Sequence, residues 1–369
     1  SARFRFRRTA GRASKCGIEK VPPPVTLSTV LPDDRGALVQ PLRAWVRPFD
    51  ASRERVVSGW LRIAFFSSIL FNHTVFVRFE FLDERMWVVW AQLLRDFGTV
   101  GFFLLAGVAL KGKVLANPRA TMPSNLLKLA IAAAVLAAFE IAWASLKGEE
   151  PGEFGVRFYA AIYETNLWFF VAYAFAGPML LSMNRRAVFG TVACCLVFVM
   201  YPAEMPLASP LILQTISLAF VCMAIGMELH GHQANPWAAL AVAVVVYLVR
   251  VWTDDFGLPD IQALDIVLRI VYGVACYFLL KALADRLCGF MRSPAWANYL
   301  FVPYLVQFPI IKILVALAAV ALAGSFEVRM PPIFDSFGAA LAFDLAIFTA
   351  ALVASLALAW FLSRYRIRV

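Results

Sequence analysis

Residues 58–76 read SGWLRIAFFSSILFNHTVF, an apolar run whose only titratable side chains are Arg62 and His73. A run of this length is what a helix needs to cross a hydrocarbon core of roughly 30 Å. On such a helix the eleven steps from Arg62 to His73 make almost three whole turns, at about 100° per residue. Both side chains therefore share one face, roughly 16 Å apart along the axis. A cation and an imidazole are costly in hydrocarbon, and inside a membrane segment they mark a pathway, a relay or a catalytic centre. Against this stands a plainer reading, in which Arg62 snorkels to the headgroups and His73 makes an interhelical hydrogen bond. His230 and His232 lie in the polar stretch GMELHGHQANP, so His73 is the one histidine well inside an apolar segment.

Composition extends the reading to the whole chain. Of 369 residues 62% are hydrophobic and 16% charged, with a mean hydropathy of +0.74. That balance excludes a soluble globular domain. Ten apolar stretches are long enough, or nearly so, to cross a membrane as helices. They lie near 57–78, 87–110, 125–146, 167–183, 187–203, 210–229, 237–253, 263–282, 296–323 and 337–362. None alternates apolar and polar residues over about ten positions, as a barrel strand would. The expected fold is all-α, a polytopic transmembrane bundle of about ten helices.

Lys and Arg in the connections set the orientation. The N-terminal segment, 111–119, 184–186, the stretch from Lys281 to Arg292 and the tail RYRIRV are basic. The alternate connections, at 80–85, 147–154, 253–260 and around Glu327 and Asp335, are acidic or mixed. Both termini are expected to be cytoplasmic, which requires an even helix count. The net charge of +10 follows from this inside-positive bias and a basic tail on anionic lipid, with no nucleic acid required.

Residues 1–55 form a separate unit, basic and proline-bearing, that reads as a disordered or surface-lying cytoplasmic segment. It lacks the short apolar core of a secretory signal, so the first membrane helix is expected to direct insertion. Residues 56–369 make up the membrane domain. The six cysteines show no metal spacing and read as free thiols used in packing.

The second apolar stretch carries Gly98-Thr-Val-Gly-Phe-Phe-Leu-Leu-Ala-Gly107. Small residues at such spacing let transmembrane backbones approach closely, so helix packing accounts for them on its own. Following an Arg and a His eleven apart, the run also resembles the acyltransferase-3 family of bacterial membrane acyltransferases. That family has an Arg-x10-His first helix and a second helix of the type G-V-x-x-F-F-x-L-S-G, within a ten-helix bundle. Asn166-Leu-Trp-Phe-Phe170 and Tyr304-Leu-Val-Gln-Phe-Pro309 are similar to its later Leu-Trp-Phe and Tyr-Leu-x-His-x-Pro. The resemblance spans roughly 57–362. It departs at Gln307, where many relatives have His, and at Ala106, where Ser is usual. The loop after the second helix offers Lys111, Lys113 and Arg119 in place of paired arginines.

The resemblance implies transfer of an acyl group, commonly acetyl, from cytoplasmic acyl-CoA to a hydroxyl of a glycan or lipid-linked sugar. Acyl-CoA would be a co-substrate, with no permanently bound cofactor and no metal. A hydroxyl is a poor nucleophile and needs a base within hydrogen-bond reach, a task suited to neutral His73. Arg62 and the cations Lys111, Lys113 and Arg119 suit the donor's phosphates. A carboxylate that fixes the imidazole tautomer would complete the base. Asp96 is the first choice and Glu140 the second, each equally readable as half of a structural ion pair. Asp265 and Arg269 stand one turn apart and read as a pair, while Lys312 could meet Glu140 or Asp344.

A transporter of a small molecule or glycan precursor is the main alternative, since buried charges also suit carriers. No repeat between the halves and no paired broken helices support it. No P-loop, dinucleotide fingerprint, HExxH or GxSxG motif is present. The expected location is a bacterial inner membrane, crossed many times, with lipids, acyl-CoA and a glycan acceptor as partners.

Overall fold

The computed structural model describes residues 46–74, 97–111, 118–150, 152–163, 167–200, 210–255, 262–287, 294–323 and 336–365. These are almost all helical. In chain order they form β1 (Val46–Pro48), α1 (Ala51–Thr74), α2 (Phe97–Lys111), α3 (Pro118–Leu146) and α4 (Phe154–Tyr163). Next come α5 (Leu167–Ser182), α6 (Arg185–Met200), α7 (Pro210–Leu229), β2 (His232–Ala234), α8 (Pro236–Asp255) and α9 (Gln262–Leu287). A 3-10 turn (Ala295–Tyr299) leads into α10 (Phe301–Ala323), and α11 (Phe337–Arg364) follows.

Local chemistry explains several boundaries. Pro118, Pro210 and Pro236 each stand first in a helix, where the missing N–H is no loss. Ser336 caps α11 by accepting from Ala339 N, and Asn184 caps α6 by accepting from Ala187 N at 2.9 Å. Pro309 lies inside α10, so the Leu305 carbonyl there lacks its usual helical N–H partner.

Each of the ten apolar stretches holds one of these helices, in order, and α4 is an additional short one. Four are long and apolar enough to cross a membrane by length and composition: 129–146 of α3, 264–287 of α9, 302–321 of α10, and α11. The segments 97–111, 216–229 and 236–252 are apolar but shorter. Large apolar side chains face outward in rows. Leu127, Ile131 and Val135 recur every four residues on α3, and Val244, Leu248 and Trp252 do so on α8. Exposed apolar surface on this scale fits a hydrocarbon solvent and not water.

Helix α1 is the central post, packed against α2, α9, α10, α11 and the 3-10 turn. Phe65, Phe66, Leu61 and Leu70 on it are fully buried. Helix α2 runs antiparallel beside it, because Gly98 meets Ile69 and Gly101 meets Phe65, four residues back. A Cβ at Gly101 would overlap the Phe65 ring, so the glycines let α2 sit directly on α1. Gly107 and Gly226 do the same between α2 and α7, each facing a backbone carbonyl, of Met223 and of Leu104. The packing reading of the Gly98–Gly107 run is therefore what the structure shows.

A two-stranded ribbon, absent from the all-helical expectation, closes one end of the bundle. β1 and β2 pair antiparallel with Val46 opposite Ala234 and Pro48 opposite His232. Gly231 makes the preceding turn at φ +73°, a backbone region that favours glycine. Phe49 N donates to its carbonyl at 2.8 Å. The strand and the first turn of α1 fall within the segment 1–55 set apart above, while residues 1–45 lie outside the described residues.

Candidate functional site

Two contacts fix how α1 and α10 lie side by side. Arg62 Nη1 donates to Asn298 Oδ1 in the 3-10 turn. Eleven residues further up α1, the His73 ring lies 4.7 Å from the Phe308 ring, ten residues beyond Asn298. The two segments thus run parallel at nearly one register, with the 3-10 turn meeting Arg62 and α10 meeting His73. Phe71, two residues before His73, packs edge-on against Phe348 of α11 at 5.0 Å. Asp344, one turn before Phe348 on the same helix, is buried.

On α10 the buried positions Tyr304, Gln307, Ile311 and Val315 form one stripe at helical spacing. Tyr304 lies 5.8 Å from Phe102 of α2 between ring centres. The Phe-Phe pair of the second helix therefore splits its duties: Phe103 is fully buried in the core, and Phe102 lines the side facing α10. At the level of His73 the Phe308 ring lies against the imidazole and the Phe71–Phe348 pair lies beside it, while the Phe102–Tyr304 pair sits lower, where Gly101 meets Phe65.

The ribbon end is built around one buried cation. Lys281 Nζ, 0% exposed, donates to both Glu54 oxygens at 2.7 Å and to the His232 carbonyl at 2.8 Å. It also lies 4.5 Å from the centre of the Phe49 ring. Arg53 reaches Asp285 at 2.9 Å nearby. The sequence reading put Lys281 in a basic connection after a helix ending near 282. Helix α9 instead continues to Leu287, and Lys281 is a core cation. Glu54 lies three residues before the first expected helix, and no local pattern joins positions 227 apart.

Glu140 gives both oxygens to Lys312 Nζ, at 2.7 and 2.6 Å. Of the two partners expected for Lys312, this is the one observed, and it joins α3 to α10. Asp265 accepts from Arg250 Nε at 2.8 Å, a partner on α8 that the one-turn spacing to Arg269 did not suggest. Lys111 ends α2 and is exposed at the ribbon end. Arg119 lies in the first turn of α3. Asp96, Lys113 and Asn166 lie outside the described residues.

Sequence reasoning placed Arg62 and His73 on one face and missed what meets them. Asn298 is 236 positions from Arg62, in a turn with no signature of its own. Gln307 was noted as a departure from a histidine, but its burial could not be read from spacing. No protein-family model, curated protein or solved structure matches the chain.

Proposed function

We propose that this chain is an integral membrane O-acyltransferase of ten crossing helices with both termini in the cytoplasm of a bacterium. It would move an acyl group, acetyl in the first instance, from acyl-CoA to a hydroxyl of a cell-surface or periplasmic glycan or glycolipid. The observation that carries the reading is the register of α1 against α10. Arg62 is held by Asn298 at one level, and His73 stands against Phe308 roughly 16 Å further along. A pantetheine arm is extended and narrow, and that separation suits a donor whose phosphates stop near one residue while its thioester reaches the other.

The chemistry assigns a task to each group. Neutral His73 takes the acceptor's hydroxyl proton as oxygen attacks the thioester carbon. The resulting imidazolium then protonates the departing CoA sulfur. Arg62, its direction fixed by Asn298, presents a planar guanidinium to phosphate or to the pantetheine side of the donor. Lys111, Lys113 and Arg119 add positive charge for the nucleotide end. Asp96 is the carboxylate proposed to orient His73. Glu140 is engaged by Lys312 and serves the site by holding α3 against α10.

The deciding experiment replaces His73 with Asn, which keeps a polar group of similar reach but cannot take up a proton. Transfer of labelled acetyl from acetyl-CoA into membrane and glycan fractions is expected to fall by about 10²–10⁴-fold, with the amount of membrane protein unchanged. A structural histidine gives the opposite pattern, full transfer from the Asn variant and loss of protein from an apolar one.

A further inference from the structure

Gln307 is 0% exposed, and neither its Oε1 nor its Nε2 has a hydrogen-bond partner among the described residues. A carboxamide sealed from water without partners destabilises the resting protein, because its hydration is lost and not replaced. Such groups are rare in natural structures, and a catalytic role is one of the reasons they are kept. Its place in the fold says which ligand. Gln307 adjoins Phe308, the ring that touches His73, and shares a buried stripe with Tyr304 at the height of residues 72 and 73 of α1.

We infer that Gln307 is a catalytic donor, whose Nε2 amide takes the carbonyl oxygen of the acyl thioester; this rests on the acyl-transfer reading above. As the acceptor oxygen bonds to the carbonyl carbon, the C=O electrons move onto oxygen and His73 takes the hydroxyl proton. A neutral amide aimed at that oxygen binds it more tightly as it becomes an oxyanion, with no reorganisation at the moment of reaction. Collapse restores the C=O, breaks the C–S bond and passes the proton from His73 to the CoA sulfur. A carboxamide has no titratable proton, so Gln307 cannot duplicate the base. The roles divide cleanly between one proton carrier and one oxygen donor.

The test compares wild type, Gln307→Met, Gln307→Glu and His73→Asn, purified in lipid nanodiscs. Acetyl-CoA is the probe, with water as the acceptor and free CoA thiol as the product measured. Met has nearly the shape of Gln without its hydrogen bonds. Gln307→Met is expected to lower kcat by about 10²–10³-fold, with acetyl-CoA binding nearly unchanged and the melting temperature held or raised. Gln307→Glu, in its ionised form, puts a negative charge where a donor is needed, so at alkaline pH it should be at least as slow.

A lowered melting temperature for Gln307→Met would show the amide to be satisfied and structural, which overturns the inference. Unchanged turnover in a well-folded Gln307→Met protein overturns it as well. If wild type releases CoA no faster than His73→Asn, the acyl-transfer reading itself falls and takes this one with it. Loss in both Gln307→Met and His73→Asn, each well folded and still binding acetyl-CoA, leaves both standing.

Discussion

Two levels of the same helix treat buried polar groups in opposite ways. Near the ribbon, Glu54 meets Lys281, and Lys281 is further bound by the His232 carbonyl and the Phe49 ring. Some nineteen residues up α1, the level of His73 holds Gln307 buried with no partner among the described residues. A charge taken from water is tolerable only when paired and hydrogen-bonded, and the Glu54–Lys281 pair at the lower level meets that condition. The upper level is left incomplete at a neutral group, where the penalty is smaller. A completed network ties elements together; an incomplete one has capacity for something that arrives.

The comparison can be broken most forcefully from below. Lys281→Met leaves Glu54 as an uncompensated buried charge, and loss of one partner of such a pair costs about 3–5 kcal/mol. Protein level and thermal melting in membranes should both fall. The double variant Glu54→Leu with Lys281→Met should recover much of the loss. If the single variant melts like wild type, the ribbon end is not the anchor described.

The glycine contacts come next. Gly107→Val drives a side chain into the Met223 carbonyl and separates α2 from α7, with an expected cost of about 1–3 kcal/mol. Gly190, in the interior of α6, has open space where a Cβ would stand, so Gly190→Ala should hold or raise the melting temperature. Equal effects from the two would remove the argument that the small residues of α2 serve close packing.

Arg62→Ala probes the stretch of α1 between the two levels. It should weaken CoA binding about tenfold while the bundle stays folded, and Arg62→Lys should not restore it fully, because an ammonium lacks the planar fork. Wild-type affinity in the Ala variant, measured by calorimetry with CoA, removes Arg62 from donor binding. The smallest effect is expected at Ser355, whose hydroxyl is buried without a partner among the described residues. Ser355→Ala should be neutral or stabilising, within about 1 kcal/mol, and should leave acyl transfer untouched. A large loss of transfer would extend the incomplete level down α11.

The sequence by itself determined the helical class, the positions of the apolar stretches, and the shared face of Arg62 and His73. These depend on period and composition, which are local properties. It also supplied the packing reading of Gly98, Gly101 and Gly107, although not the partners Phe65, Ile69 and Met223. Helix ends were less legible, as Lys281 shows. A charge near the end of an apolar run reads as a loop residue unless its counter-charge is known, and Glu54 lies 227 positions away. The ribbon escaped for a similar reason, since three-residue strands have no period to detect and exist only through their pairing. What the tertiary structure alone decided is which polar groups are matched. Asn298 meets Arg62, Lys312 meets Glu140 and Arg250 meets Asp265, while Gln307 is buried with no partner among the described residues. Matching is a property of distance between helices remote in sequence, and no spacing along one helix contains it.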